Sequence, residues 1–229
     1  VEDNEIFITL SIGISIYGQD GDDVSELLRC ADIAMYQSKK LGGNQFCYYK
    51  KDFIKQSYFR LEVENDLRRA LEKNEFFLCY QPQIRLKDNK LVSIEALIRC
   101  QHPTKGIVYP NHFISIAEES NLIHPIGKWV LRTACQQLKT WQNQGFGFIR
   151  VAINITSSQL QHPNFVQTIK VTLAELELDP KYLELELTEN VLFNNMEAVQ
   201  GLLELRQMGV SIALDDFGTG YSNLQYLKT

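Results

Sequence analysis

Oxygen-bearing side chains interrupt four stretches of the sequence that otherwise have the apolar texture of buried strands. Glu95 lies within V-S-I-E-A-L-I-R, Asn154 within V-A-I-N-I-T and Glu186 within L-E-L-E-L-T. Asp215 and Asp216 end the run V-S-I-A-L-D-D, and a glycine-bearing loop follows them. One buried carboxylate is usually an ion-paired core residue, but several unpaired carboxylates repel one another unless a cation lies among them. The pattern therefore predicts a metal site.

The residue types at these positions indicate which metal and which chemistry. Carboxylates and a side-chain amide supply only oxygen ligands, which select hard divalent cations such as Mg²⁺ or Mn²⁺. The neighbouring Asp215 and Asp216 can each reach a different ion from a strand end. Two ions about 3.5–4 Å apart stabilise the attacking and leaving oxygens of an in-line phosphoryl displacement. The sequence thus predicts a two-metal site, with Glu189 accepting hydrogen bonds that hold the loop 217–220.

Other polar residues are assigned no chemistry. Glu184 shares a strand face with Glu186 but lies one layer deeper, so it is interpreted as structural or left undecided. The histidines fall in predicted loops or at helix starts, without the spacing of metal ligands, and are predicted to be surface residues. They are His102, His112, His124 and His162.

The elements that must position the site are predicted from hydrophobic periodicity and capping signals. The strands are predicted at 76–86, 91–100, 150–156, 182–188 and 210–215. The helices are predicted at 112–120, 125–144, 163–177 and 195–208. Strands that alternate with helices form a largely parallel sheet, either an open doubly wound sheet or a closed barrel. In both architectures, functional groups gather at the carboxyl ends of the strands.

The first part of the chain has a different organisation. A strand is predicted at 6–17, a helix at 24–40 and a short strand at 45–49, which together resemble the end of an α/β domain. A charged, amphipathic helix predicted at 52–73 would connect this part to the next domain.

Composition narrows the class of protein. The net charge of -5 argues against tracking along a nucleic-acid polymer, which needs a basic surface, but permits a phosphorylated ligand whose charge metal ions neutralise. Five scattered cysteines without paired spacing are typical of reduced thiols in a cytosolic domain. No apolar run approaches the roughly 20 residues of a membrane span, and no signal peptide is visible.

Five motifs, in order along the chain, resemble the EAL-domain cyclic di-GMP phosphodiesterases. They are Y-Q-P at 80–82, E-A-L-I-R at 95–99, N-I-T at 154–156, E-L-T-E at 186–189 and D-D-F-G-T-G-Y-S at 215–222. Upstream, T-L-S-I-G-I-S and A-D-I-A-M-Y-Q-S-K-K-L-G-G-N resemble the closing portion of a GGDEF diguanylate cyclase domain. The resemblance divides the chain into a GGDEF portion (1–50), the start of a connecting helix (51–61) and an EAL portion (62–229).

The resemblance implies a TIM-type barrel whose first strand is antiparallel, present here in part, and it implies roles for individual residues. It places Glu95, Asn154, Glu186 and Asp215 as ligands of one metal ion and Asp216 at the second. Asp216 and Glu189 are the expected catalytic residues. Gln81 and Arg99 would contact the dinucleotide, and Leu97 would line its cleft.

The implied activity is hydrolysis of cyclic di-GMP to the linear dinucleotide pGpG. The alternative is a catalytically inactive module that binds cyclic di-GMP or regulates a partner. The family resemblance also implies a homodimer through the EAL domain, an upstream sensor domain and a cytoplasmic location, which is compatible with a parent protein tethered to a membrane sensor.

The chain departs from the family in two ways. Cys100 follows the E-A-L-I-R motif where tryptophan is common, which predicts a change in packing. The chain is also shorter than a barrel of roughly 250 residues, and the family's active-site lysine, a glutamate and a glutamine would follow Thr229; Lys228 is not that lysine. The cyclase signature would precede Val1. We therefore expect residues 1–229 alone, cut at both ends or a natural remnant, to be inactive and poorly stable.

Overall fold

The structure is a computed structural model that describes residues 8–147, 149–188 and 196–215. The chain divides into two compact units, Val1–Val63 and Glu64–Thr229, and the division falls within helix α2 (Lys51–Lys73).

The first unit contains a β-α-β element. Strand β1 (Ile12–Ile14) pairs in parallel with β2 (Phe46–Tyr48), and α1 (Val24–Lys40) connects them. A Cβ atom at Gly13 would lie 1.9 Å from the carbonyl oxygen of Ala31, so only glycine lets β1 approach α1 this closely. Asp23 caps α1 by accepting a hydrogen bond from the Glu26 amide, as the turn before this helix predicts.

Strand β1 is shorter than the strand predicted at 6–17, which extends beyond the described residues at its start. Within the described part, pairing is limited to Ile12–Ile14 because β2 offers only three residues. The chain then turns, since the carboxylate of Asp20 accepts a hydrogen bond from the backbone amide of Ile16 at 2.8 Å. The remaining predictions for this unit, a helix at 24–40 and a strand near 45–49, are confirmed.

The second unit has the predicted alternation of strands and helices after an opening hairpin. Its strands are β3 (Phe76–Arg85), β4 (Lys90–His102), β5 (Gly106–Val108), β6 (Arg150–Ile155), β7 (Leu183–Thr188) and β8 (Ser211–Asp215). Its helices after α2 are α3 (Ile114–Glu119), α4 (Ile123–Asn143), α5 (Ser157–Leu160), α6 (Phe165–Glu175) and α7 (Met196–Gln207). Single 3-10 turns lie at Pro110–His112 and Pro180–Tyr182. The sequence did not predict β5 or α5, because each is too short to show a hydrophobic period.

The sheet runs in the order β3-β4-β6-β7-β8, with β5 paired to β4. Strand β3 is antiparallel to β4, and the pairs β4–β6, β6–β7 and β7–β8 are parallel. This is the predicted arrangement, a parallel α/β sheet that begins with one antiparallel strand. The left-handed residues expected beyond two helices are present at Gly145 (φ 95°) and Gly209 (φ 105°).

The sheet has one face packed against helices and one face that carries the polar residues. Ile153 and Ile155 line a cavity together with residues of α4 and α6, so this side of β6 faces the helices. By register they lie beside Leu185 and Leu187, which are fully buried. Because successive side chains of a strand point to opposite faces, Asn154 and Glu186 lie on the other face.

The prediction that all four histidines are surface residues is wrong for His102. This residue ends β4 and is only 6% exposed. Its ring lies 3.0 Å from the carboxylate of Asp66 and accepts hydrogen bonds from two backbone amides of the turn that follows, those of Thr104 and Lys105. The two amides satisfy Nδ1 of the buried ring, whereas Nε2 lies beside the Asp66 carboxylate without a hydrogen bond in the described part of the chain. Sequence periodicity contains no sign of these neighbours.

Candidate metal site

The strand register places the predicted ligand positions on a diagonal across one sheet face. Asn154 is directly beside Glu186, whereas Glu95 is beside Ala152, two residues earlier on β6. Asp215 is beside Thr188, two residues after Glu186. In a barrel the strands tilt, so positions at one height advance along the chain from each strand to the next. The even steps keep all four side chains on the same face and at a similar height.

Two hydrogen bonds involve the side chains at the predicted ligand positions. The amide nitrogen of Asn154 donates to Oε1 of Glu95 at 2.7 Å. On the neighbouring strand, the amide of Gln83 donates to Oε1 of Glu186 at 3.1 Å. Gln83 lies on β3, so it reaches Glu186 from a strand that is not adjacent to β7 in the sheet. This hydrogen bond therefore connects β3, the first strand of the unit, with β7, which carries a predicted metal ligand.

Glu186 is the residue whose environment is least compatible with a bare carboxylate. It is 8% exposed, and its Oε2 atom is buried without a hydrogen-bond partner in the described part of the chain. Burial raises the pKa of Glu186 to about 7, and the negative charges of Glu95, Asp215 and Glu184 add to this, while the Gln83 hydrogen bond opposes it. A buried acid without a counter-charge costs free energy unless it is protonated or meets a cation.

The donor chemistry of these positions fits a hard divalent cation. Glu95, Asn154, Glu186 and Asp215 supply only oxygen ligands, and the buried Oε2 of Glu186 has an open coordination position. The side chains are not preassembled into a cage, since no group of three or more His, Cys, Asp or Glu side chains within the described ranges is arranged to hold an ion. The fit therefore rests on residue type, register and the unpartnered oxygen.

The predicted dinucleotide contacts fall on the same strands. Gln81 on β3 pairs in register with Glu95 on β4. Leu97 is two residues after Glu95 and lines, together with Asn154, a cavity of about 190 Å³. Arg99 is two residues further along β4, so strand parity puts Glu95, Leu97 and Arg99 on one face. The structure thus brings Gln81 and Leu97 beside the ligand positions and puts Arg99 at the end of the same row.

Arg99 has a partner that the sequence did not reveal. Its guanidinium lies 4.9 Å from the ring centre of Tyr109, and its NH1 donates a hydrogen bond to the carbonyl oxygen of Ile98 at 2.7 Å. Tyr109 immediately follows β5, and this strand was not predicted. Gln83 was missed for a similar reason, because its partner Glu186 is 103 residues away along the chain.

Behind the site, a capping box supports the end of β6. The side chain of Gln159 accepts a hydrogen bond from the Thr156 amide at 3.0 Å, and the Thr156 hydroxyl caps α5 in return. Gln159 is buried, and its amide group packs where a Cβ atom at Gly127 would lie only 1.9 Å away. This packing holds the backbone that follows Asn154.

Glu184 lies one step deeper on β7 and is compensated. Its carboxylate is 3.2 Å from the guanidinium of Arg150, which also donates to the Ser211 hydroxyl. The predicted catalytic residues Asp216 and Glu189, and the loop 217–220, lie outside the described residues, so their roles remain predictions.

The five cysteines, which sequence spacing predicted to be reduced thiols, are all free. Cys100, at the position where family members commonly have tryptophan, is buried, and burial raises the pKa of its thiol. Among the described helices, none combines the length and the hydropathy of a membrane-spanning segment.

Comparison with known proteins shows the family to which this chain belongs. The EAL domain profile matches residues 64–229, and the profile of the diguanylate cyclase GGDEF domain matches residues 1–45. The chain belongs to the EAL domain family, and the EAL match covers most of its length.

Two proteins of Pseudomonas aeruginosa are similar over nearly the whole chain. The bifunctional diguanylate cyclase/cyclic di-GMP phosphodiesterase MucR is 38% identical over 226 residues, which are 98% of this chain and 33% of MucR. The cyclic di-GMP phosphodiesterase NbdA is 39% identical over 224 residues, which are 97% of this chain and 29% of NbdA. The chain thus spans about a third of the length of the curated relatives that it matches.

Solved structures share the fold. A structure of the MucR phosphodiesterase in complex with c-di-GMP superposes with a TM-score of 0.70 and 38% sequence identity, covering 72% of this chain and 68% of that chain. The EAL domain has a TIM-barrel-like α/β fold, which confirms the fold class predicted from the sequence.

Proposed function

We propose that the protein containing this chain hydrolyses cyclic di-GMP to linear pGpG, with Mg²⁺ or Mn²⁺ bound at the strand ends. Family membership and the activities for which MucR and NbdA are named support the reaction. The observation that carries the proposal is the buried, unpartnered Oε2 of Glu186 among further acids on one sheet face. An acid in this environment is explained by cation binding and costs stability otherwise.

Each candidate residue has a role in this proposal. Divalent ions, when bound, would activate water as the nucleophile and neutralise charge that develops on the phosphate. Glu95, Asn154, Glu186 and Asp215 hold one ion, and Asp216 holds the second. The hydrogen bond from Gln83 fixes one oxygen of Glu186 and leaves the other free for ligation.

The dinucleotide would be held by residues of β3 and β4. Arg99 pairs with a phosphate, since a guanidinium offers several donors in a planar arrangement. Gln81 bonds the dinucleotide from the neighbouring strand, and Leu97 gives the cleft an apolar wall that excludes water. Glu189 would anchor the loop 217–220, and Asp216 and Glu189 are the proposed catalytic residues.

The direct test uses the full-length protein, purified and freed of metal with a chelator. Hydrolysis of cyclic di-GMP is followed by separating substrate and pGpG. We expect no turnover without divalent cation and recovery on adding Mg²⁺ or Mn²⁺, but not Na⁺ at equal ionic strength. Unchanged turnover in excess chelator would contradict the metal-dependent reaction. Binding of cyclic di-GMP without turnover under every metal condition would identify the alternative, an inactive binding module.

The organisation of the whole protein is part of the proposal. Residues 1–50 form the end of a GGDEF domain, 51–61 begin a connecting helix, and 62–229 belong to the EAL domain. We place the protein in the cytoplasm, downstream of a sensor domain, as a homodimer through the EAL domain that does not bind nucleic-acid polymers. Light scattering of the full-length protein tests the dimer directly, and a monomeric mass at micromolar concentration would contradict it.

A further inference from the structure

The second half of α2 is held against the turn between β4 and β5 by a cluster of charged side chains. The carboxylate of Asp66 on α2 lies 3.0 Å from the ring of His102 and 2.9 Å from the ammonium of Lys105. Its other oxygen bonds Arg69, one turn along the same helix, at 3.0 Å, and Arg69 also contacts Glu75. Asp66 therefore joins the helix to both ends of the turn.

His102 makes this contact rigid. Its Nδ1 atom accepts hydrogen bonds from the backbone amides of Thr104 and Lys105 at 3.1 and 3.0 Å. Its Nε2 atom lies 3.0 Å from the Asp66 carboxylate, a close contact without hydrogen-bond geometry in the described part of the chain. The buried ring therefore fixes the turn through Nδ1 and packs against the helix with its Nε2 side.

The turn leads directly to Arg99. Strand β5 pairs with the end of β4, with Val108 beside Cys100 and Gly106 beside His102. The next residue after β5 is Tyr109, and its ring lies under the guanidinium of Arg99 at 4.9 Å. A short strand that follows this turn and pairs with β4 thus delivers an aromatic ring to the side chain expected to bind the substrate phosphate.

We propose that Tyr109 is the positioning residue for Arg99, and that helix α2 controls this position through the contact of Asp66 with His102 and Lys105. The proposal rests on the proposed function, in which Arg99 binds the phosphate of the dinucleotide. Arg99 touches the substrate, whereas Tyr109 and Asp66 act through Arg99 and the hairpin.

The physical reason is preorganisation. A free arginine side chain loses rotamer freedom when it binds a phosphate, which weakens binding. An aromatic ring attracts the guanidinium and restricts it to one plane before the substrate arrives. The hydroxyl of Tyr109 has no part in this, so the ring alone should be sufficient. The ring can hold the guanidinium only while the hairpin is held, which is the role of the Asp66 contact.

The first experiment compares Tyr109→Leu with the conservative Tyr109→Phe in the full-length protein. Binding of cyclic di-GMP is measured by calorimetry with Ca²⁺ in place of the catalytic metal, and KM and kcat are measured with Mg²⁺. We expect Tyr109→Leu to raise Kd and KM by about two- to fivefold, the size of one exposed cation–π contact. The value of kcat should be unchanged, and Tyr109→Phe should bind like wild type.

A double-mutant cycle with Arg99→Ala separates positioning from general damage. If Tyr109 acts through Arg99, then Tyr109→Leu has no further effect on Kd once Arg99 is alanine. An equal loss in both backgrounds would overturn the proposal, as would a loss shared by Tyr109→Leu and Tyr109→Phe.

The second experiment tests the helix contact with a matched control on the same helix. Asp66→Asn removes the charge that faces His102 and Lys105, whereas Glu64→Gln removes a charge that pairs only with Arg68 along α2 in the described contacts. We expect Asp66→Asn to raise Kd by about twofold when Arg99 and Tyr109 are present, and not in the Arg99→Ala background. The Glu64→Gln variant should bind like wild type, and equal effects of the two variants would overturn the role of α2.

These measurements distinguish this inference from the proposed function. Wild-type protein that neither binds nor hydrolyses cyclic di-GMP would overturn both. Wild-type binding that weakens in Arg99→Ala but not in Tyr109→Leu would overturn the positioning role alone.

Discussion

On the sheet face formed by β4, β6 and β7, acids face amides and one another, whereas the cluster between α2 and the β4–β5 turn pairs each acid with a cation. Glu186 accepts one hydrogen bond from a neutral amide, and its pKa is raised to about 7 by burial first and then by neighbouring acids. Burial alone would also raise the pKa of Asp66, but the hydrogen bond from Lys105 and the close approach of the His102 ring outweigh it and hold that pKa below its usual value.

The contrast shows how to distinguish a structural acid from a ligand. Both carboxylates are largely removed from water, Asp66 on helix α2 and Glu186 on strand β7. The charge of Asp66 is balanced by the protein itself, whereas the charge of Glu186 is not balanced by the described residues. Glu184 is a structural acid by this criterion, because the guanidinium of Arg150 balances its charge. We therefore expect substitutions in the two regions to have opposite effects.

The largest expected effect is the loss of activity when a predicted metal ligand is removed. Glu95→Ala removes an oxygen ligand and should lower kcat/KM for cyclic di-GMP by at least about a hundredfold, because even residues that only orient ligands contribute about 10–100-fold. Steady-state kinetics of the full-length protein across Mg²⁺ concentrations measures this. Glu184→Gln, on the same face but paired with Arg150, is the matched control and should keep most of the activity. Equal losses in both variants would erase the distinction between ligand and structural acid.

The next effect is a loss of stability at the compensated cluster. Asp66→Asn removes the carboxylate that accepts hydrogen bonds from Lys105 and Arg69 and lies beside the buried His102 ring, so we expect a loss of about 1–3 kcal/mol in the free energy of unfolding at pH 7. Since the pKa of Asp66 is lowered by folding, its contribution is present above the unfolded value of 3.8 and is lost as pH falls through the folded value. Wild type and variant should therefore converge in acid.

Urea unfolding of the full-length protein from pH 3 to 7 measures this convergence, with Glu64→Gln as control. That substitution removes a charge from the same helix without touching the turn, and it should cost less than about 0.5 kcal/mol. A constant difference between wild type and Asp66→Asn at every pH would show that the loss is not electrostatic.

Glu186→Gln should raise the free energy of unfolding when divalent cations are absent, whereas Asp66→Asn should lower it. The amide keeps the shape of the side chain but cannot ionise, so we expect the metal-free protein to gain about 1–3 kcal/mol near neutral pH. Since folding raises the pKa of Glu186 to about 7, the wild-type protein should lose stability as pH rises from 4.5 through 7. The variant should lack this decline and should also lack activity.

Thermal melts in chelator across this pH range test the prediction, and the same melts with Mg²⁺ provide the comparison. Added Mg²⁺ should stabilise wild type more than Glu186→Gln. If the substitution destabilises the metal-free protein instead, Glu186 is a structural acid like Asp66.

The smallest effect concerns the support behind the site. Gly127→Ala would place a Cβ atom 1.9 Å from the Gln159 amide, so Gln159 must leave its capping position at Thr156. Loss of a cap costs about 1 kcal/mol, and the released end of β6 should raise the Mg²⁺ concentration needed for half-maximal activity. Gly147→Ala is the control, because a Cβ atom there meets nothing within 4 Å. Unchanged Mg²⁺ dependence in Gly127→Ala would show that the predicted metal site does not need the Gln159–Thr156 capping box.

Local sequence information was sufficient for most of the framework. Hydrophobic periodicity placed the parallel strands and the long helices within a few residues, because α4 and β7 each present an apolar face at the period of their own geometry. The polar interruptions also located Glu95, Asn154 and Glu186, since an acid or amide in an apolar strand stands out without any knowledge of its neighbours. Elements of three or four residues, such as β5 and α5, have no period and were missed.

Tertiary structure alone decided which polar residues are partners. The hydrogen bond between Gln83 and Glu186 joins residues 103 positions apart, and the contact between Asp66 and His102 joins α2 to the end of β4, with β3 between them in the sequence. Nothing local distinguishes His102 from an exposed histidine or Tyr109 from a loop aromatic. Their burial and stacking follow from strand pairing, which brings together groups from distant parts of the chain, and electrostatic balance is set by these distances. The sequence by itself therefore determined where the acids lie, and only the folded structure decided which of them are compensated.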